Sequence, residues 1–214
     1  MSSSKPQNTA TTKSHLWFKG RNPTADFILT REHPSTGIVQ ILLIVRGPGT
    51  VEEGKQAYPG GFHDTNAKKG DVWRAGKETA KEAALREIKE ETCLEADFLA
   101  GKLRLVGTFE GNARDPRDTE EAWTYTTVFS VHLDKAESQK SEQVCSEVKG
   151  TDDASKAEWV DLASVKPDEM AFDHGKILHF SGVLKLLEQT SPEADMSLPQ
   201  CGKKHKFPTV KSRQ

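Results

Sequence analysis

The sequence has little of what membrane-spanning, disulfide-stabilised or secreted proteins require. No apolar run reaches the ~18 residues that a membrane-spanning helix needs. The N-terminus is polar and rich in Ser and Thr, and it lacks the apolar core of a secretory signal. The three cysteines, Cys93, Cys145 and Cys201, are an odd number and have no Cys-x-x-Cys spacing. They favour a reducing, cytoplasmic compartment over a disulfide framework or a zinc site.

The chain also has almost no net charge. Its 30 Lys and Arg residues nearly balance its 32 Asp and Glu residues, which leaves a net charge of −2 at pH 7. This balance gives no general electrostatic argument for a nucleic acid or a membrane as the partner. At 214 residues and 35% hydrophobic content, the chain suits one domain with a proper core. We expect a disordered or extended tail over 1–21, the domain over 22–190 and a basic tail over 191–214.

The most informative stretch covers residues 78–94, which contain strong helix formers and no Gly or Pro. Small or aliphatic side chains recur every four residues along it, at Ala80, Ala84 and Ile88. This spacing predicts a helix with a narrow apolar stripe. Glu87, Glu90 and Glu91 crowd one side near its C-terminus, where the helix dipole disfavours negative charge. Because stability alone would not place three carboxylates there, the pattern indicates a functional role.

The order of residues in this helix closely resembles the signature of the Nudix hydrolases. That signature reads Gly, five residues, Glu, seven residues, Arg-Glu-apolar-x-Glu-Glu-x-Gly-apolar. The matching positions are Glu78, Arg86, Glu87, Ile88, Glu90, Glu91 and Leu94. The two glycines of the signature are replaced, the first by Val72 and the second by Cys93. We expect Cys93 to cost some backbone strain, because helices often end on a Gly with positive φ.

A second match lies upstream, where Pro59 is followed by Gly60 and Gly61. This run resembles the Pro-Gly-Gly that normally precedes the helix in this family. Sixteen residues separate Gly61 from Glu78 instead of five, so we expect an inserted loop near 64–74. The double glycine would let the backbone pass close to a ligand, because it carries no Cβ atoms.

The rest of the pattern predicts a sheet and a final helix. Strands are expected over 25–30, 38–45, 103–109 and 123–131, and a helix is expected from 171 to about 189. In the strand over 123–131, the face that carries Trp123 and Tyr125 is predicted to be the apolar one. The charge-rich segment 134–158 is predicted to be an exposed, mobile insertion. The resemblance covers roughly residues 22–189 and implies an α/β fold, an α/β/α sandwich with a mixed β-sheet.

Two short segments are similar to the ADP-ribose pyrophosphatase branch of the family. They are Arg-Asp-Pro-Arg at 114–117 and Ala-Phe-Asp-His at 171–174. In that branch the first lies in the loop before the strand that follows the signature, and the second opens the C-terminal helix. Asp is a favoured N-cap residue, so Asp173 and His174 are expected to cap the start of this helix.

The resemblance also implies the metal site. Glu87, Glu90 and Glu91 would hold Mg²⁺ or Mn²⁺, joined by a backbone carbonyl near Gly61. Arg86 would orient the glutamates through hydrogen bonds. Such a cation would neutralise a pyrophosphate group that otherwise repels an attacking hydroxide.

The resemblance also implies a general base and substrate-binding residues, and for each of these roles more than one interpretation stays open. The general base is expected to be Glu120 or Glu121 in a loop, or Glu90 within the signature. Substrate contacts are expected from Arg46, Gly60, Gly61, Phe62, Arg114 and Arg117. Phe62, Trp73 and Tyr125 are candidates for stacking on an adenine ring, although aromatic residues at such positions often belong to the core. The arginines equally suit structural ion pairs with neighbouring acids.

These features predict a metal-dependent hydrolase of a small-molecule nucleotide, with ADP-ribose cleaved to AMP and ribose 5-phosphate. NADH, a dinucleoside polyphosphate or a nucleotide sugar are alternative substrates. A non-catalytic ADP-ribose sensor is the alternative from another class, but relatives of that kind add a winged-helix domain of ~70 residues or more. Too few residues follow the last predicted helix for such a domain, and the carboxylates are intact. The basic run at 203–206 is weak evidence for an RNA-end hydrolase. The oligomeric state stays open, with a homodimer among the options.

Overall fold

A computed structural model of the protein describes residues 16–74, 76–111 and 114–189. Residues 1–15 of the predicted N-terminal tail (1–21) and the whole predicted C-terminal tail (191–214), including the basic run at 203–206, lie outside the described residues. Leu16 and Phe18 are buried, so packing already begins within the segment that was expected to be an N-terminal tail.

The described strands form one mixed sheet. Its centre is the parallel pair of β1 (Gly20–Glu32) and β6 (Ala122–Leu133). The other strands all pair antiparallel, and β2 (Val39–Arg46) extends the sheet next to β1. The remaining strands are β3 (Gln56–Ala57) on β2, β4 (Gly60–Phe62) on β1, β5 (Arg104–Glu110) on β6, and β7 (Ala154–Asp161) on β2.

Helices cover both faces of this sheet. On one face, α1 (Ala80–Thr92) packs its buried residues Ala84 and Ile88 into a cluster with Phe27 of β1. On the other face, α4 (His174–Ser181) contributes Ile177 to a cluster with Ile28. Neighbouring residues of β1 thus point to opposite faces, as the pleat of a strand requires. The predicted α/β/α sandwich with a mixed sheet is confirmed.

Local signals fix both ends of α1. Thr79 is the N-cap, and its hydroxyl and the Glu82 carboxylate form a reciprocal capping box. Cys93 ends the helix with φ 58°, and its N–H donates to the carbonyl of Lys89. The position where the signature has Gly is therefore left-handed here, and Cys93 bears the expected backbone strain.

The segment 134–158, which was predicted to be an exposed insertion, has regular secondary structure, although most of its residues are exposed as predicted. This segment forms α2 (Lys135–Lys140), α3 (Glu142–Ser146) and most of β7. Its inward residues are small: Ser138, Cys145 and Ala157 are buried. Small side chains give no periodic hydrophobic signal, so the charged outer faces dominate the pattern.

Two further expectations need correction. The last helix ends early, because Gly182 adopts φ 73° and separates α4 from the short α5 (Leu186–Gln189). The face of β6 that carries Trp123 and Tyr125 was predicted to be the apolar one, but in the first half of the strand the buried residues are Ala122, Thr124 and Thr126. Thr124 and Thr126 line a polar cleft rather than the core. Among the described residues, no helix is both long and apolar enough to cross a membrane.

Candidate active site

A polar cleft of about 390 Å³ opens between α1, β4 and the loops that flank β6 and β7. The sequence-predicted residues that line it are Arg46, Gly60, Gly61, Phe62, Arg86, Glu87, Glu90, Glu91, Arg114 and Arg117. Residues from four separate parts of the chain therefore meet at one place. The arrangement depends on β4, which pairs with β1 and brings the double glycine beside α1.

The last two turns of α1 place their carboxylates against the backbone of β4. Glu87 and Glu91 lie one turn apart and are 8% and 2% exposed. The amide of Gly60 donates to Oε2 of Glu91 at 2.9 Å. A Cβ atom on Gly61 would overlap the carboxylate of Glu87. A Cβ atom on Gly60 would overlap Ala25 and Asp26 of β1, so the two glycines allow close approaches to the helix and to β1.

Burial sets the protonation of these two carboxyl groups. It raises the pKa of Glu87 to about 7, although the positive charge of Arg86 acts in the opposite direction. Burial also raises the pKa of Glu91 to about 8, against the effect of the hydrogen bond from Gly60. Glu87 adds to the pKa rise of Glu91 because the two negative charges repel. A cation bound between the two carboxylates would offset both the cost of burying their charges and the repulsion between them.

Arg86 forms hydrogen bonds that connect α1 to Glu78 and to β4. Its Nη1 donates to Glu87 Oε1 and to Glu90 Oε2, both at 2.8 Å. Its Nη2 donates to Glu78 Oε1 at 2.7 Å and to the carbonyl of Phe62 at 2.9 Å. The bonds to Glu78 raise the pKa of Arg86 above its usual value. Arg86 therefore orients two of the acidic side chains and anchors the end of β4.

The chemistry of the cleft fits a hard divalent cation. Among its described lining residues, nine are acidic and four are arginines, so acidic groups remain in excess even when Glu87 and Glu91 are protonated. All of its acidic donors are oxygen atoms, the ligand type that Mg²⁺ and Mn²⁺ prefer. In the described part of the chain, no three acidic, His or Cys side chains already converge as a formed metal site would. Arg86 instead occupies the space between Glu87 and Glu90.

Glu120 and Glu121 do not reach the cleft. Both are exposed, and neither lines it. The turn at Asp115–Asp118 reverses the chain, and the carbonyl of Glu121 accepts from the N–H of Gly20 at the start of β1. In this structure they are misplaced for the role of general base, which a sequence pattern could not reveal.

The two arginines of the 114–117 segment hold carboxylates. Arg114 makes a bidentate pair with Asp173, with contacts of 2.7 and 2.9 Å. This pair uses the Asp173 carboxylate, which makes no capping bond to α4. Arg117 pairs with Asp115 at 2.6 and 2.8 Å. Arg114 thus joins the loop before β6 to the start of α4.

A buried network that sequence reasoning missed lies beneath the double glycine. Nε2 of His174 lies 3.4 Å from Oδ2 of Asp26, and both residues are buried. The amide of Tyr58 donates to Nδ1 of His174 at 3.0 Å, so the ring proton resides on Nε2, which faces Asp26. The Tyr58 ring stacks on the imidazole at 4.7 Å. The one available signal was a single acid, Asp26, within an apolar strand.

A second missed feature is the pair Asp152 and Asp153, which line the cleft from the loop before β7. This loop is docked on the end of α1: Lys149 N–H donates to the carbonyl of Thr92, and Thr151 N–H donates to that of Glu91. Asp152 has φ 53°, and its charge contributes to the raised pKa of Glu87. The loop therefore brings two further carboxylates to the side of the cleft where Glu87 and Glu91 lie.

Comparisons with known proteins agree with this geometry. The family model described as NUDIX domain matches residues 20–180. An ADP-ribose pyrophosphatase of Methanocaldococcus jannaschii is 30% identical over 152 residues, which are 68% of this chain and 72% of that protein. A mutT/nudix family protein from Listeria innocua has a TM-score of 0.51 and 28% identity, covering 78% of this chain and 96% of its own. The NUDIX domain of Shewanella oneidensis NrtR, complexed with ADP ribose, has a TM-score of 0.58. This NrtR domain is 22% identical, and the match covers 79% of this chain and 90% of the NrtR chain. At that identity the likeness supports the fold alone.

Proposed function

Because the chain belongs to the NUDIX domain family and is a pyrophosphate-hydrolysing enzyme, we propose that it cleaves ADP-ribose to AMP and ribose 5-phosphate with Mg²⁺ or Mn²⁺. The observation that carries this proposal is the buried pair Glu87 and Glu91, packed against Gly60 and Gly61 in a cleft where acidic groups are in excess. The choice of ADP-ribose is supported by the name of the Methanocaldococcus relative.

The need for a cation follows from charge. A pyrophosphate diester is an anion, and a cleft with nine acids against four arginines would repel it. Glu87, Glu90 and Glu91 would hold the cation, and a backbone carbonyl near Gly61 would contribute a further oxygen. When bound, it would neutralise the phosphates and make water more acidic.

The protein's own side chains supply the remaining steps. A carboxylate takes a proton from the attacking water as its oxygen bonds to one phosphorus. The bond from that phosphorus to the bridging oxygen breaks, and the bridging oxygen leaves with the other phosphate. We assign the proton transfer to Asp152, because it lies at the cleft, is exposed and forms no ion pair with an arginine among the described residues, whereas Glu90 is bonded to Arg86.

The test is a substrate panel. The protein is incubated with Mg²⁺ or Mn²⁺ and with ADP-ribose, NADH, a dinucleoside polyphosphate and a nucleotide sugar, and the products are separated. We expect ADP-ribose to be turned over fastest, with AMP and ribose 5-phosphate in equal amounts. Faster turnover of another member would overturn the substrate assignment, and turnover that persists fully in EDTA would overturn the metal requirement.

A further inference from the structure

One wall of the cleft is a row of neighbouring aromatic rings and guanidinium groups. The rings of Trp17 and Phe62 lie nearly parallel, at 9°, with their centroids 6.4 Å apart. The guanidinium of Arg117 lies 5.2 Å from the Phe62 ring and 5.6 Å from the Phe172 ring. At the other end of the row, the guanidinium of Arg46 lies 5.3 Å from the Phe172 ring. Flat groups are thus stacked along the cleft from Trp17 to Arg46.

The backbone at Phe172 supports a functional role for this wall. Phe172 has φ 54°, a left-handed conformation that a bulky residue rarely adopts. Its N–H donates to the carboxylate of Glu52, and the flanking Ala171 N–H donates to the carbonyl of Gln56. Strained residues of this kind persist where the surrounding contacts hold them, and they cluster at ligand sites.

The insertion near 64–74 holds the other end of the row. The N–H of Gly70 donates to the carbonyl of Trp17 at 2.7 Å, and the N–H of Lys19 donates to the carbonyl of Asp71 at 3.0 Å. Lys19 also forms an isolated parallel bridge with Val72. The insertion therefore fixes the backbone around Trp17, whose indole is 55% exposed and lines the cleft.

We propose that Trp17 and Phe62 bind the nucleobase of the substrate between their parallel rings, and that the 64–74 insertion exists to position Trp17. This inference deepens the proposed function and rests on it. A flat ring in contact with two others needs about 7 Å between their planes. The ring centroids of Trp17 and Phe62 lie 6.4 Å apart, so the two rings must move apart for a base to enter. Of the neighbouring groups in the row, this pair has the widest spacing.

The other two aromatic candidates from the sequence are unsuited to this role. Trp73 does not line the cleft; its ring is edge-on to His63 at 80°, and its Nε1 is buried. Tyr125 also lies outside the cleft lining, and Arg21 covers its ring at 4.8 Å. Trp17, in a segment expected to be a tail, supplies the exposed ring that these residues cannot.

The experiment compares a ligand that carries a base with one that does not. Binding of AMP and of ribose 5-phosphate is measured by isothermal titration calorimetry, and kcat and KM are measured with ADP-ribose. In Trp17→Ala we expect the Kd of AMP and the KM of ADP-ribose to rise roughly ten-fold or more, as stacking on an aromatic residue predicts. The Kd of ribose 5-phosphate and kcat should stay within about two-fold of wild type. Trp17→Phe should recover most of the affinity for AMP.

A second variant tests the insertion separately. Gly70 has φ 93°, so Gly70→Val should displace the segment that holds Trp17 and reproduce the AMP-specific loss. The matched control is Gly101→Val, because Gly101 has no left-handed φ and no neighbour within 4 Å. Trp123→Ala controls for the loss of an indole outside the cleft.

Two results would overturn the assignment of the base site. One is unchanged AMP binding in Trp17→Ala, and the other is equal weakening of AMP and ribose 5-phosphate, which would place Trp17 on the shared phosphate. Failure of the proposed function itself would be distinct. It would show as turnover that survives Glu91→Gln, whatever the behaviour of Trp17.

Discussion

Glu91→Gln tests the electrostatics and the chemistry of the cleft in one variant. The substitution keeps the size of the side chain and an oxygen that can accept from the Gly60 amide, but it removes one negative charge. Glu91 is 2% exposed, and burial raises its pKa to about 8 from an ordinary value of 4.5. The folded, metal-free protein therefore holds a proton on Glu91 more tightly than the unfolded chain does.

The sign of the pH dependence follows from this difference. Because the folded-state pKa is raised, the stability associated with Glu91 is fully present below pH ~4.5 and is lost as the pH rises to ~8. The loss corresponds to roughly 3–6 kcal/mol, since each unit of pKa is worth about 1.4 kcal/mol. Glu87 contributes a loss of the same sign up to pH ~7. Metal-free Glu91→Gln should therefore be more stable than the wild type at pH 8.5, by a few kcal/mol.

Catalysis should change in the opposite direction. If Glu91 holds the cation, its loss leaves the cation under-neutralised and misplaced, and kcat should fall roughly 10²-fold or more, about 3 kcal/mol. Stability is measured by urea unfolding in EDTA between pH 5.5 and 8.5. Turnover of ADP-ribose is measured with Mg²⁺, and the rise of Tm on adding Mn²⁺ should be smaller in the variant than in the wild type.

Glu95→Gln is the matched control, because Glu95 follows the same helix but is exposed and paired with Lys89. It should change neither turnover nor the slope of stability with pH. Glu82 is less suitable, because its carboxylate completes the capping box. Near-wild-type turnover in Glu91→Gln would refute the metal assignment, and lower metal-free stability at pH 8.5 would refute the burial argument.

Four further predictions address other parts of the molecule. Gly61→Ala places a Cβ atom against the carboxylate of Glu87, so turnover should fall at least ten-fold. Unchanged kinetics would count against the close approach of Gly61 to Glu87. Asp152→Asn should lower kcat by roughly 10²-fold with little change in KM, as loss of a general base would; a loss confined to KM would contradict that role. His174→Phe removes the partner of a buried acid and should lower the free energy of unfolding by roughly 2–4 kcal/mol, measured with urea; an unchanged midpoint would show that the network carries no stability. A chain restricted to residues 16–190 retains every described element and should keep turnover within a few-fold; if it folds but is inactive, the tails contribute to the site.

Local patterns allowed the helix, the double glycine and the buried strand to be predicted from sequence. A helix of strong formers places Glu87 and Glu91 on one face through the i,i+4 spacing alone, and α1 is observed at Ala80–Thr92. A continuous aliphatic run is typical of a strand buried on both faces, and residues 41–44 of β2 are fully buried. These features depend on neighbours within a few residues, which is the range that a sequence pattern describes.

The tertiary structure alone decided which distant groups complete the site. The Asp26–His174 contact joins β1 to α4, and Asp152 reaches the cleft because the segment 134–158 folds back onto the end of α1. No periodicity connects such residues; they meet because of the order of the strands and the docking of loops. Trp17 has the same origin, since an insertion about fifty residues later in the chain holds it against Phe62. The sequence therefore determined the acidic helix, and long-range packing determined what surrounds it.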